Sequence, residues 1–270
     1  MTISLGQVLE GAMGFDAAAS IRSNSARNLL RYIGADFNPL NSVKLQELAK
    51  YIEPSLNRAV SGFPEHSVNF LFQYKRPEYL STRNAKEHQY WGKSYYRYTI
   101  EQSQLELLDN LQKYTNDRCV AVYASPVARD VIQLCDQSKN GEIVNSSNFV
   151  KADQLLGHSK VTYINPGGKS ILFSEPTKYS GDGLVGIKRD AIDRILGTGY
   201  GGGGSPSIYF MIEFSQIVDE LMQGSPTLGK KWRYFTNDWH LFEGARLSLA
   251  FFRMRLLHFL LGIGWSLALH

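Results

Sequence analysis

Apolar positions along this chain change period repeatedly, and each change marks an element. Val43, Leu45, Leu48, Ala49 and Ile52 recur at helical spacing. Asn41 and Ser42 precede them with side-chain oxygens suited to the orphan amides of a helix start, and Pro54 is expected to bend or end that helix. At 68–74, VNFLFQY carries Phe70, Leu71 and Phe72 in succession, the pattern of a strand buried on both faces; Pro77 cannot donate to a ladder, so pairing should fail near it. Leu105, Leu108 and Leu111 then share one face of a helix over 101–114, stopped by Asn116-Asp117, and RCVAVYA at 118–124 reads as a second buried strand. A strand, a long crossover containing a helix and another strand predict a parallel pair.

Farther on, VTYI and ILF flank NPGGKS at 165–170, which predicts a β-hairpin turn or a slightly longer loop. Ile208, Met211, Ile212, Ile217, Val218 and Leu221 trace an amphipathic helix ended by Gly224-Ser225-Pro226. From Glu243 the pattern is again helical, and the apolar residues 256–269 are expected to form a buried terminal helix or a subunit contact. The first forty residues suggest short helices broken at Gly14, Gly34 and Pro39. The chain is thus expected to be an α/β protein: a domain over 1–196 with 1–40 as a helical extension, a glycine-rich linker or mobile loop over 197–207, and a helical portion over 208–270.

Composition narrows this picture only a little. The 270 residues carry 29 basic and 25 acidic side chains, and a net charge of +4 is too mild to identify a polyanion partner without a local concentration of charge. Cys119 and Cys135 form neither a zinc spacing nor a redox pair, which fits a reducing, cytoplasmic setting. The N-terminus lacks the pattern of a secretory signal, and the apolar run at 256–269 falls short of the roughly 20 residues that span hydrocarbon. GGKS is not a nucleotide loop, because Tyr163 occupies the place of the leading glycine.

Candidate chemistry concentrates at the end of the first buried strand. Alternation puts Gln73 and Lys75 on one face with Tyr74 opposite, and an ammonium on so apolar a strand must reach water or a hydrogen-bond partner. Gln73-Tyr74-Lys75-Arg76 resembles the Gln-x-Lys strand end of the PD-(D/E)xK nuclease superfamily, within it the Mrr-like restriction endonucleases. The resemblance covers about residues 41–125. It implies a restriction-endonuclease-like core, a mixed sheet flanked by helices, and Mg²⁺- or Mn²⁺-dependent hydrolysis of DNA phosphodiesters in bacterial defence or restriction. It assigns Glu65 and Gln73 to the metal, Lys75 to the charge developing on the attacked phosphate and Arg76 to a neighbouring phosphate. Glu47 or Glu53 would stand at the family's helical glutamate. The chain departs from the family in having only residues 60–67 where two strands are usual.

The segment from Tyr74 to Tyr98 holds six of the fifteen tyrosines, with Trp91 and the cations Lys75, Arg76, Arg83, Lys86, Lys93 and Arg97 against Glu78 and Glu87 alone. Cations neutralise phosphates and aromatic faces stack on bases, so Arg76, Arg83, Lys86, Trp91, Lys93, Tyr95 and Arg97 are candidate nucleic-acid contacts. The competing expectation is a noncatalytic binding or assembly subunit that uses the same segment and the apolar C-terminal helices to dock. His158 with Tyr163 and the Ser174-Glu175 pair flank the hairpin, where a hydrogen-bonding role is the simpler one. Asp238 is a candidate cap for the last helix.

Overall fold

The computed structural model describes residues 45–60, 67–115, 118–197, 207–237, 239–242 and 244–269. The expectations for the first forty residues, Glu65, Asn116-Asp117, most of the glycine run and Asp238 lie outside them. The chain is α/β and falls into two compact units. One contains α1 (Leu45–Val60), α6 (Ser207–Gly224), α7 (Gly229–Thr236) and the first half of α8 (Arg246–Leu261). The other contains every described strand and the end of α8.

In the helical unit α1 runs through Pro54 rather than stopping there. A proline deprives the carbonyl four residues back of its amide partner. Here that carbonyl belongs to exposed Lys50, where water can serve it, and Pro54 is itself exposed. Ala49, Phe242 and Ala245 form a small core with Trp239, Leu249 and Phe252 packed against it.

The strand unit holds two sheets. The first has the order β5 (Ser147–Lys151), β4 (Cys119–Pro126), β1 (Ser67–Tyr74), β9 (Ile263–Leu269). As expected, β1 pairs with β4 in parallel, from Asn69 opposite Cys119 to Tyr74 opposite Ala124, and both the crossover helix α3 (Gln102–Tyr114) and the buried β4 form. One face of the sheet buries Val68, Phe70, Val120, Val122, Ala124 and Phe149 with Ile187 and Ala191 of α5 (Gly183–Gly197). Leu105, Leu108 and Leu111 of α3 are fully buried, each contributing about 2 kcal/mol. A strand covered by helices on both sides needs no polar alternation, which explains the continuous apolar run of β1.

The second sheet is antiparallel throughout, with the order β2 (Glu78–Leu80), β3 (Tyr95–Thr99), β6 (Lys160–Tyr163), β7 (Gly168–Phe173), β8 (Thr177–Gly181). The expected hairpin is the β6–β7 turn. Gly167 turns there at φ 101°, and a Cβ on Gly168 would collide with the Gly181 carbonyl oxygen, so the paired glycines serve close backbone approach and not a phosphate. The four-residue helix α2 (His88–Trp91) lies between β2 and β3, and α4 (Val131–Lys139) follows β4.

The C-terminus departs from expectation. Residues 256–269 do not continue as one helix: α8 ends at Leu261, Gly262 takes φ 66°, and β9 pairs antiparallel with β1. Left-handed glycine is the usual helix stop. Beyond it, the row of peptide groups on the open side of β1 supplies partners that a helix would leave unserved. No described helix is long and apolar enough to cross a membrane.

Candidate functional site

The carboxyl end of β1 gathers the polar groups that the sequence placed on one face. Backbone pairing outlasts the strand: Lys75 N–H donates to the Ala124 carbonyl at 2.9 Å, and Ser125 Oγ donates to the Lys75 carbonyl at 2.8 Å. Gln73 is buried, and its Nε2 lies 3.4 Å from the Leu261 carbonyl. Gln104, in the first turn of α3, brings its own Nε2 to 3.5 Å from the same oxygen. These contacts are long, yet they are made to a helix-terminal carbonyl that has no partner further along the helix. Gln73 is therefore part of the closure of α8.

Lys75 joins this group through Gln104. Its Nζ donates to Gln104 Oε1 at 3.2 Å and sits 5.6 Å from the centroid of the Tyr123 ring. Burial lowers the affinity of the amine for its proton, against the opposing charge of Glu101. Burial also pushes the Tyr123 phenol up, with Glu101 adding to it. Gln73 Oε1 and the Tyr123 hydroxyl are buried with no hydrogen-bond partner among the described residues. Gln73 and Lys75 do converge, then, but on a neutral amide and a carbonyl.

Among the described residues, the oxygens that Gln73 and Lys75 bond are not the usual ligands of Mg²⁺ or Mn²⁺. A hard dication is held through carboxylates, whereas the oxygens here belong to amides and a peptide group, one of them 3.2 Å from an ammonium. Among the described residues no group of three or more His, Cys, Asp or Glu side chains is placed to hold a metal. Glu65 lies outside the described residues. Glu53 is engaged elsewhere, since its carboxylate accepts from Leu247 N–H at 2.8 Å, Ser248 N–H at 2.7 Å and Ser248 Oγ at 2.6 Å, capping the start of α8. A carboxylate on two free amides at a helix N-terminus satisfies both and complements the dipole. The assignment of Glu53 to a catalytic helix position is thus replaced by a capping role. The corresponding side chain of Glu47 is outside the described set.

The basic, tyrosine-rich segment divides sharply. Glu87, with a side chain only 4% exposed, accepts from Lys160 Nζ at 2.9 Å, the Tyr95 hydroxyl at 2.9 Å and Arg97 at 3.3 Å. Burial alone would raise this carboxyl, but hydrogen bonds from Lys160 and Tyr95 outweigh it and hold the group at about 2. The Tyr95 phenol moves the other way, to about 12, through burial and then its bond to Glu87. Arg97 also grips Glu78 with two nitrogens, at 2.6 and 3.1 Å. Trp91 Nε1 donates to Thr162 at 3.0 Å. Tyr95 and Arg97 are therefore structural and not free contacts, because the first is fully buried and the second is held by two carboxylates. Trp91 is half-buried and spends its only donor on Thr162.

Arg76, Arg83, Lys86 and Lys93 are different. All four are exposed, and none makes an ion pair among the described residues. Sequence reasoning missed two further cations beside this segment. Lys160 is the principal partner of Glu87, and exposed Arg129 sits 5.2 Å from the Tyr79 ring centroid. Their distance along the chain from the segment left no local signal. In the other polar clusters, the His158 backbone carbonyl accepts from Gln102 while the His158 Nδ1 is buried with no hydrogen-bond partner among the described residues, and His240 Nδ1 lies 3.1 Å from the Asn237 carbonyl. Comparison with protein-family models, curated proteins and solved structures finds no match to this chain.

Proposed function

We propose that the chain is a noncatalytic nucleic-acid-binding module whose contact surface is formed by the loops flanking β2. One observation carries the proposal. The two acids of the segment are consumed internally, Glu78 by Arg97 and Glu87 by Tyr95, Arg97 and Lys160, while Arg76, Arg83, Lys86 and Lys93 face solvent without an acidic partner among the described residues. A mild overall charge is thereby converted into a local cationic excess, the condition that neutralises phosphates and releases their counterions. The glutamine and lysine at the end of β1 support a structural part: Gln73 meets the Leu261 carbonyl that ends α8, and Lys75 bonds Gln104, which reaches the same oxygen.

The test is binding of a fluorescent DNA oligonucleotide across a salt series. Wild type should bind, with affinity falling steeply as salt rises, and the combined alanine variant of Arg76, Arg83, Lys86 and Lys93 should flatten the slope of log affinity on log salt by roughly 3. Unchanged affinity and slope in that variant would overturn the proposal.

A further inference from the structure

The segments leaving β1 and β4 stay side by side, since Lys75 N–H and the Lys75 carbonyl bond to Ala124 and Ser125. Arg76 follows on one and Arg129 on the other, at the carboxyl ends of a parallel pair, where open α/β sheets receive ligands. At this place the side chains form a column. The Tyr163 ring stacks on Tyr96 at 5.5 Å, Tyr96 packs on Tyr79 at 5.2 Å, and the Arg129 guanidinium lies 5.2 Å from the Tyr79 centroid. The column is anchored at depth: Tyr96 and Tyr163 are buried, and the Tyr163 hydroxyl lies 2.8 Å from both Ser125 Oγ and the Pro126 carbonyl. Burial pushes the Tyr96 phenol up, and the neighbouring Arg129 guanidinium pulls it back.

Arg129 is exposed and has no carboxylate partner among the described residues. Its neighbour is the Tyr79 ring, which does not offset its charge. An exposed planar cation beside an aromatic ring can stack on a base and attract the adjoining phosphate together. Bases inside a duplex are already stacked on both faces, so this surface rewards unpaired ones. Resting on the nucleic-acid-binding proposal above, we infer that Arg129 and Tyr79 form a base-stacking platform and that the chain selects single-stranded over duplex nucleic acid.

Anisotropy titrations of the full chain against a labelled thymidine oligonucleotide and a hairpin duplex of equal length test this. The single strand should bind at least about tenfold tighter than the duplex, and Arg129→Ala should weaken it about tenfold while changing duplex binding less than about threefold. Arg129→Lys should behave like the alanine variant, because the charge survives and the plane does not. Circular dichroism of each variant confirms folding. Equal or tighter duplex binding, or full single-strand affinity in Arg129→Lys, would sink the platform and leave the cationic-loop proposal standing. Failure to bind either nucleic acid would bring down both and leave the surface to a protein partner.

Discussion

Two sets of cations arise from one stretch of chain, and their fates are opposite. Arg97, with Lys160 arriving from a distant strand, is drawn onto the buried carboxylate of Glu87. Arg76, Arg83, Lys86 and Lys93 remain in water. The inner set is charge-neutralised, so it belongs to the fold; the outer set keeps its charge, so it is available to a ligand. Lys75 stands between them, half-buried yet bonded to an amide oxygen where Lys160 has a carboxylate. A basic segment is therefore not one surface. A single buried acid sorts it into parts that hold the protein together and parts that can reach outward.

The sharpest way to break this division is to remove the acid. Glu87→Ala should destabilise the chain by roughly 3–5 kcal/mol in a denaturant titration, because the basic groups around it are left without their carboxylate. A loss below about 1 kcal/mol would return Arg97 and Lys160 to the pool of free cations. The same contrast has a pH signature. The carboxyl of Glu87 is depressed from 4.5 to about 2, so the stability it contributes is fully present above 4.5 and is lost as pH falls through about 2. Acid titration of wild type should show a loss in that window which Glu87→Gln lacks.

Smaller effects are expected toward the outside. Lys75→Ala removes one hydrogen bond to a neutral amide and should cost about 1 kcal/mol. Plasmid incubated with Mg²⁺ or Mn²⁺ should stay supercoiled with wild type and variant alike. Cleavage by wild type that disappears in Lys75→Ala would replace the binding proposal with a hydrolytic one. At the outer edge, alanine substitutions of the four free cations should alter stability by no more than about 0.5 kcal/mol each, while weakening nucleic-acid binding.

The amino-acid sequence by itself determined the kind of several described elements. Leu105, Leu108 and Leu111 marked α3, the apolar runs marked β1 and β4, and the crossover between them made the pair parallel. It also put Gln73 and Lys75 on one face. These are consequences of local periodicity, since which face is buried is written in residues a few positions apart. What the polar side chains do with that placement was decided only by tertiary structure. Glu87 meets Lys160 across a separation of 73 residues and Glu53 caps Ser248 across 195, contacts that leave no mark in any short window. The same holds for β9, whose apolar residues suit a helix or a strand equally until the open side of β1 supplies peptide partners. Local pattern commits the backbone, whereas charge pairing and edge pairing depend on groups that only the folded chain brings within hydrogen-bonding reach.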